Sequence, residues 1–269
     1  VGGLAAGIAA DILKMKQICP ESESAPGILT LPTRINLFTL LGKSQEVAKM
    51  FTSSFPMGSD GNTLDTFNID WEKCPSHLLI GGPSQSGRTS FLQSIVLSIA
   101  NTLSPADASV LLVDGTQTSL RRLRNLPHVI EWVTDEDRLS LNLKYLIEEL
   151  KKRRELMNTV SEENNPQLTT RLNHQIFIVI DDYDLIREVM PIQSDLLNVL
   201  SKHIRRDYDI KFHFIISCVS QSLSRDLDPL IKQIKSLRGG GSLVNHETLE
   251  HLGGKATATM RKQEFTEGR

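Results

Sequence analysis

Five short apolar runs between residues 77 and 217 constrain the fold of this 269-residue chain more than any other feature. Each run is about the length of a strand and is bounded by polar residues. In chain order the runs read HLLIG, ASVLLVD, HVIEWV, QIFIVID and KFHFIIS. Successive side chains of a strand point to opposite faces of the sheet, so a continuous apolar run is buried on both faces. This is typical of parallel strands. We therefore expect an α/β sandwich with a mostly parallel sheet and helices on both faces.

Two of the segments between these runs have the periodicity of amphipathic helices. Their apolar residues recur at spacings of three and four positions, which places them on one side of a helix. They are Phe91, Leu92, Ile95, Val96, Ile99 and Leu103 in the first segment, and Leu139, Leu143, Leu146, Ile147 and Leu150 in the second. Both helices should pack on the sheet.

The residues before this core differ from it in composition. Residues 1–27 are small and polar and include the stretch CPESESAPG, so we expect a linker there. The next segment, to about Ile69, holds short apolar stretches, and its turn residues Gly58, Asp60 and Gly61 suit a hairpin. We expect that segment to form an edge layer beside the main domain.

These observations give the following domain organisation. One domain occupies residues 28–269, with its core at residues 77–245. Within it, residues 161–173 lack periodicity and are rich in turn formers, so we expect a mobile surface loop. The chain begins at Val1 and ends in TEGR without a terminating element, so we expect neighbours in a longer protein.

The composition gives little attraction to nucleic acid or anionic lipid. With 30 basic and 32 acidic residues, the formal net charge is -2 at pH 7. Cys19, Cys74 and Cys218 are widely spaced, which fits a reducing compartment and offers no metal knuckle. No apolar run approaches the roughly 20 residues of a membrane span. We expect a cytosolic location and no nucleic-acid partner.

The stretch HLLIGGPSQSGRTS, residues 77–90, predicts a phosphate-binding loop. Gly82, Gly87 and Thr89 fit the pattern G-x-x-x-x-G-K-[ST], between a strand and an amphipathic helix. The glycines let the backbone approach an anion, the helix amides point at it, and the Thr89 hydroxyl suits a magnesium ion. The predicted ATP-binding residues are Gly82, Pro83, Ser84, Gln85, Ser86, Gly87, Arg88, Thr89 and Ser90.

Two other motifs share features with this stretch. Ser84 follows a strand, as a nucleophile in a G-x-S-x-G elbow does, but Ser86 stands where that motif requires glycine. The stretch also has the composition of a tight polar turn, which occurs in many proteins without a ligand. The downstream strand favours the phosphate loop.

That strand, QIFIVID, ends in two aspartates at the edge where α/β sheets bind ligands. We predict that Asp181 holds Mg²⁺ through water and that Asp182 orients or deprotonates the attacking water. Glutamate is the commoner second acid in hydrolytic motors, and aspartate is shorter. Aspartates here also suit the N-terminus of the following helix, and both roles are compatible.

Arg88 departs from the loop pattern, which requires lysine at that position. Lysine is a compact charge that bridges the β- and γ-phosphates, whereas guanidinium is a wide planar fork. The charge is kept but the geometry changes. We therefore expect ATP binding to be weak or lost, and hydrolysis to be slow or absent.

Four segments in order resemble the FtsK/SpoIIIE group of RecA-like P-loop motors, and in particular the carboxyl-terminal ATPase module of type VII secretion motors of the EssC/EccC family. They are HLLIGGPSQSGRTS, SVLLVDGTQTSLRRLRNLPHV, IFIVIDDYDL and FHFIISCVSQSLSRDLDPLIKQI. The resemblance extends from about Leu31 to the end of the chain. It departs from the family at Arg88, and at Cys218 and Val219, where the family often has arginines.

The resemblance implies a string of ATPase modules on a membrane anchor, acting on the cytoplasmic side of the bacterial membrane to export small helical WXG-type proteins. Its partners would be the preceding modules, the WXG substrates and other secretion subunits. This chain would be the last module, docking substrate or regulating its neighbours. Ser220 and Gln221 would be phosphate sensors, although an ordinary strand-end turn is the favoured interpretation. The alternatives are an active motor of the same family, with Asp182 as base, and an FtsK-type DNA translocase, which the charge balance disfavours.

Other polar residues carry weaker signals. The segment KKRRE, residues 151–155, is interpreted as a solvated helix face rather than a basic patch. Arg205 and Arg206 are candidate fingers toward a neighbouring module's nucleotide. The histidines lack zinc-site spacing, and His128 and His213 are interpreted as structural.

Overall fold

The computed structural model describes residues 35–41, 54–60, 64–71, 76–160, 172–207, 209–224, 228–244 and 246–255. The chain divides into two compact units, residues 1–34 with 59–65 and residues 35–58 with 66–269. The second unit holds the sheet and the site discussed below. The predicted linker at residues 1–27, Gly61 and residues 161–171 of the predicted mobile loop lie outside the described residues.

The second unit is built on a parallel sheet of six strands. The strands of the structure are β1 Ser54–Ser59, β2 Thr66–Asp70, β3 Leu78–Gly82, β4 Ala108–Asp114, β5 Val129–Val133, β6 Gln175–Asp181, β7 Phe212–Val219 and β8 Gly240–Ser242. Their order in the main sheet is β5-β4-β6-β7-β3-β8, and β1 pairs with β2 in a separate two-stranded sheet. The five strands predicted from apolar runs are confirmed.

Strand β8 was not predicted, because its sequence Gly240-Gly241-Ser242 has no apolar residue. It pairs with β3, with Leu79 opposite Gly240. A Cβ on Gly240 would strike the Leu79 carbonyl oxygen. Close approach of two backbones, rather than side-chain packing, therefore requires glycine in this strand.

Helices connect the strands and cover the sheet. They are α1 Arg88–Thr102, α2 Glu136–Val160, α3 Tyr183–Val189, α4 Ser194–Arg206, α5 Pro229–Ser236 and α6 His246–His251. Short 3₁₀ helices occupy Arg121–Leu123 and Ser220–Ser224, and residues 37–41 and 172–173 are also helical. Within the described part of the chain, no helix is both long enough and apolar enough to span a membrane.

The alternation of side chains along each central strand separates two buried clusters. In β4, Val110 and Leu112 join a cluster with Ile95 and Ile99 of α1. The intervening Leu111 and Val113 join the other cluster, to which α2, α3, α4 and α5 contribute. Helices therefore cover both faces, as the apolar runs predicted, and the fold class is confirmed.

The order of the strands decides which loops meet. Strand β7 lies between β3, which precedes the predicted phosphate loop, and β6, which ends in the predicted aspartate pair. Since all three strands are parallel, their carboxyl ends lie at one edge of the sheet. Residues far apart in the chain meet at that edge, where open α/β sheets bind their ligands.

Candidate functional site

The loop between β3 and α1 has the backbone of a tight turn into a helix. Strand β3 ends at Gly82 and α1 begins at Arg88. The Ser86 N–H donates to the Pro83 carbonyl oxygen at 3.3 Å. Gln85 and Gly87 have φ angles of 64° and 91°, in the left-handed region that favours glycine. The glycine at position 87 is therefore explained by its backbone angle.

Gly82 is explained by crowding rather than by its backbone angle. A Cβ at this position would strike Ser86 Oγ and would lie 3.1 Å from the Leu243 carbonyl oxygen. Any larger residue would push the loop away from the end of β3. Both glycines of the sequence motif are thus required by this loop.

Thr89 and Asp181, the two predicted magnesium ligands, are in direct contact. The Thr89 hydroxyl donates to Asp181 Oδ2 at 2.7 Å. The Ser217 hydroxyl donates to Asp181 Oδ1 at 2.8 Å and accepts from the Asp182 N–H at 2.8 Å. Each oxygen of the Asp181 carboxylate therefore accepts a hydroxyl, and Ser217 fixes the end of β6 to β7.

Ser217 was not among the predicted site residues. It lies in the apolar strand β7 and is completely buried. A hydroxyl at a buried strand position requires a partner, so the interruption of the run FHFIISCV was a usable signal. Asp184 was missed as well; its Oδ2 accepts the Val219 N–H at 2.8 Å and ties α3 to the end of β7.

Arg88 lies inside the site and faces Asp182. Its Nη2 is 3.6 Å from Asp182 Oδ2, and the two side chains are 9% and 34% exposed. Burial raises the pKa of Asp182, the positive charge of Arg88 lowers it, and the nearby Asp184 raises it, with a net upward shift. Asp182 stands at the N-cap position of α3 with a left-handed φ of 52°. The residue predicted to activate water is thus held beside a buried cation.

Two buried polar atoms of the loop have no hydrogen-bond partner within the described residues, Arg88 Nη1 and Ser86 Oγ. A buried donor without a partner costs about 1–3 kcal/mol. The first turn of α1 contains no acidic residue, and no side chain caps its free N–H groups. These donors belong to residues at the N-terminus of a 15-residue helix, and donors of this kind fit the oxygens of a phosphate group.

The residues also suit a magnesium ion of the kind that accompanies nucleotide phosphates. Mg²⁺ is commonly held by one or two protein oxygens together with water and phosphate oxygens, and Thr89 and Asp181 supply a hydroxyl and a carboxylate. Among the described residues, no group of three or more histidine, cysteine or acidic side chains is arranged so that it could hold a metal ion. The donor set therefore fits a metal that is held largely by its ligand, not a closed protein cage.

The predicted phosphate sensors are placed differently from one another. Ser220 begins a 3₁₀ helix after β7, and its hydroxyl accepts from Thr248 Oγ1 at 2.7 Å. Gln221 is exposed. Their role as sensors stays a prediction, as does the catalytic role of Asp181 and Asp182.

Two arginines predicted to lie on a solvated helix face are part of the fold. Arg153 is 3% exposed, and its Nη1 donates to the His174 and Ile210 carbonyl oxygens. Arg154 donates to the carboxylates of Asp207 and Asp209. The interpretation of KKRRE as a solvated face is therefore wrong for these two residues, because the last turns of α2 pass beside the segments that lead into β6 and β7.

Three of the remaining polar candidates have local partners. Both candidate fingers, Arg205 and Arg206, are exposed, and Arg206 pairs with the buried Asp207 at 2.7 Å. His128 and His213 contact the carbonyl oxygens of Leu103 and Ser76, at 2.8 Å each. Both histidines therefore link separate segments of the fold, which agrees with their interpretation as structural residues.

The sequence matches a known protein family and several curated proteins. A family model described as the FtsK/SpoIIIE family matches residues 40–234. The DNA translocase FtsK of Chlamydia pneumoniae is 26% identical over 171 residues, which cover 63% of this chain and 21% of that protein. The ESX secretion system protein EccC of Geobacillus thermodenitrificans is 25% identical over 238 residues, which cover 82% of this chain and 15% of that protein.

Solved structures show the same fold. The cytoplasmic domain of EssC matches with a TM-score of 0.75 and 18% identity, over 98% of this chain and 49% of that one. Thermomonospora curvata EccC, with its ATPases 2 and 3 in complex with a signal sequence peptide, matches with a TM-score of 0.62 and 21% identity, over 83% of this chain and 38% of that one. The chain therefore spans less than half of each of these four relatives.

Proposed function

Since this chain belongs to the FtsK/SpoIIIE family, we propose that it is a nucleotide-binding module of a type VII secretion ATPase that regulates export or docks substrate rather than driving transport. The observation that carries this proposal is the pair of Arg88 and Asp182, 3.6 Å apart at the carboxyl edge of the sheet. The pair places a fixed cation on the side chain that would have to activate water.

The chemistry of hydrolysis explains why this pair matters. An attacking water needs a free carboxylate within hydrogen-bond reach, and a guanidinium on that carboxylate competes with the water for it. The lysine that bridges the β- and γ-phosphates in active loops is replaced by the same Arg88. One substitution thus weakens two steps, the positioning of the phosphates and the activation of water.

Docking and regulation are the roles left to a module that turns over slowly. The signal-sequence peptide in the Thermomonospora curvata complex supports substrate docking by modules of this kind. The partners would be the other ATPase modules of a longer chain, other secretion subunits and small helical substrates of the WXG type. The place of action would be the cytoplasmic side of a bacterial membrane.

ATP turnover by the 269-residue chain tests the proposal. We expect phosphate release in Mg²⁺ and ATP to stay at the level of the Asp182→Asn variant. Turnover by the wild type that Asp182→Asn abolishes would refute it. The variant Arg88→Lys serves as the matched control, because it restores the compact cation and frees Asp182 from the guanidinium.

A second candidate is an active motor module of the same family. The intact contact between Thr89 and Asp181 favours it, because an ion held by these residues could still bridge two phosphates. In that case Asp182 is the base, and Thr89→Val abolishes turnover together with Asp182→Asn. A measurable wild-type turnover that is lost in both Thr89→Val and Asp182→Asn would favour the active motor over the non-motor module.

A further inference from the structure

The Ser217 hydroxyl lies between the two aspartates at the end of β6. It donates to Asp181 Oδ1 at 2.8 Å and accepts from the Asp182 N–H at 2.8 Å. A hydroxyl has one proton and two acceptor positions, so this group uses its single proton on the carboxylate. Because Ser217 is completely buried, bulk water does not compete for either hydrogen bond. One side chain of β7 therefore connects the side chain of Asp181 with the backbone of Asp182.

The register of the sheet places Ser217 at this point. Ile180 of β6 is opposite Ile216 of β7, so the next residue of each strand, Asp181 and Ser217, follows at the carboxyl edge. Ile215, two residues earlier in β7, belongs to the buried cluster to which α1 contributes. Since side chains two positions apart point to the same face of a sheet, Ser217 points to the face that α1 covers.

The orientation of the Asp181 carboxylate decides whether it can hold a metal ion together with Thr89. Rotation about the last side-chain bond of an aspartate is soft, so hydrogen bonds set the plane of the carboxylate. The Thr89 hydroxyl donates to Oδ2 at 2.7 Å, and the Ser217 hydroxyl donates to Oδ1. A donating hydroxyl keeps its lone pairs, so the Thr89 oxygen stays available to a magnesium ion. Without Ser217, only Thr89 would fix the carboxylate among the described residues.

Ser217 also holds Asp182 in an uncommon backbone conformation. The φ angle of Asp182 is 52°, in the left-handed region that residues other than glycine rarely adopt. Such a conformation persists where the surrounding contacts fix it, and it is enriched at functional sites. The hydrogen bond from the Asp182 N–H to Ser217 is one of these contacts, at the point where the Asp182 side chain faces Arg88.

From these contacts we infer that Ser217 is a positioning residue for magnesium binding: its hydroxyl orients the Asp181 carboxylate so that Asp181 and Thr89 hold one ion against the phosphates of a nucleotide. This inference rests on the proposed function and names a residue that controls metal binding at the same site. Hydrogen-bond partners of metal ligands set the orientation and basicity of those ligands, and their removal typically weakens metal binding by about 10–100-fold. Ser217 acts through Asp181 and contacts neither the ion nor the nucleotide.

Calorimetric titration of the 269-residue chain with ATP, once in excess Mg²⁺ and once in EDTA, tests the inference. The wild type should bind ATP at least about tenfold more tightly in Mg²⁺ than in EDTA, because Thr89 and Asp181 hold the ion. In Ser217→Ala, affinity in Mg²⁺ should fall by about tenfold or more. Affinity of the same variant in EDTA should change by less than about threefold, because the loop and α1 are intact.

The variant Ser98→Ala is the matched control for a merely structural role. Ser98 is also completely buried, and its hydroxyl donates to the Pro56 carbonyl oxygen at 2.7 Å. It lies on α1 more than two turns beyond Thr89, away from the phosphate loop. Each alanine variant loses a buried hydroxyl with its hydrogen bonds, so both should unfold at lower urea concentration than the wild type. Only Ser217→Ala should change the ratio of the two dissociation constants.

An unchanged affinity of Ser217→Ala in Mg²⁺ would overturn the inference. An equal loss in Mg²⁺ and in EDTA, or an equal change of the ratio in Ser98→Ala, would overturn it as well, because the hydroxyl would then support the fold and not the ion. Equal affinities of the wild type under the two conditions would also overturn it, because Asp181 would then hold no ion.

The failure of the inference is distinguishable from that of the proposed function. Wild-type phosphate release that Asp182→Asn abolishes refutes the proposed function and leaves the inference about Ser217 standing. Absence of ATP binding by the wild type in Mg²⁺ would overturn the inference together with nucleotide binding by this module. The ratio of affinities in Mg²⁺ and in EDTA, in contrast, decides on Ser217 alone.

Discussion

Two buried arginines lie at opposite edges of the sheet and differ in how their donors are used. Arg153, near the amino ends of β6 and β7, donates from Nε to Glu149 and from Nη1 to the His174 and Ile210 carbonyl oxygens. Arg88, near the carboxyl ends, has one ion pair at 3.6 Å and an Nη1 without a partner in the described residues. A saturated buried cation holds the fold together, whereas an unsaturated one is available to a ligand.

The largest expected effect follows from removing the saturated arginine. Arg153→Met leaves two carbonyl oxygens without their donor and Glu149 without its cation, so the free energy of unfolding should fall by about 2–4 kcal/mol. Urea denaturation measures the change. Lys152→Met, an exposed neighbour on α2, is the control and should change stability by less than about 0.5 kcal/mol. Equal losses in Arg153→Met and Lys152→Met would show that Arg153 contributes no more to stability than an exposed lysine. Arg153 would then not differ from Arg88 in holding the fold together.

The amino edge should also lose stability in mild acid, because two buried histidines lie there. Burial lowers the pKa of His77 to about 3 and that of His213 to about 4, from the ordinary 6.5. His77 Nδ1 accepts the Phe214 N–H at 3.0 Å, so this imidazole is neutral in the fold. The unfolded chain takes up protons below pH 6.5 before the fold does, so stability is full above that pH and falls below it.

The expected slope is about 1.4 kcal/mol per pH unit for each histidine between pH 6.5 and 4. Urea denaturation at a series of pH values measures it. The His213 ring stacks on Phe177, with the ring centroids 4.8 Å apart. His213→Phe keeps an aromatic ring at this position and removes one titrating group. The variant should therefore have the shallower slope, and an unchanged slope would show that His213 is not a source of the acid sensitivity.

The sequence predicted those parts of the fold and of the candidate site that depend on the local pattern of residues. The apolar runs marked the strands, and the glycines with Thr89 marked the loop, because each is a property of neighbouring residues. The motifs also brought Thr89 and Asp181 to one site, but the contacts that Ser217 and Asp184 make there were not predicted. Ser217 and Asp184 meet the site only because β7 lies between β3 and β6, an order that no local pattern contains.

The same limit explains the error about Arg153. Arg153 follows two lysines and precedes Glu155, so its neighbours are typical of a solvated helix face. Its burial results from the length of α2, which carries the last turns past the residues leading into β6 and β7. For Arg88, the motif predicted a cation at the phosphates, but its pairing with Asp182 depends on where two strands end.

The smallest expected effect belongs to Arg88. Arg88→Met removes an ion pair with a partly exposed Asp182, which contributes little, and it also removes a buried donor that has no partner in the described residues. The two changes oppose each other, so the free energy of unfolding should stay within about 0.5 kcal/mol of the wild type. Urea denaturation measured beside Arg153→Met gives the comparison directly. A loss as large as that of Arg153→Met would make Arg88 a structural residue. Unchanged stability would leave its donors free for an anion. A side chain that is buried at a cost and adds no stability to the fold has to be explained by what it binds.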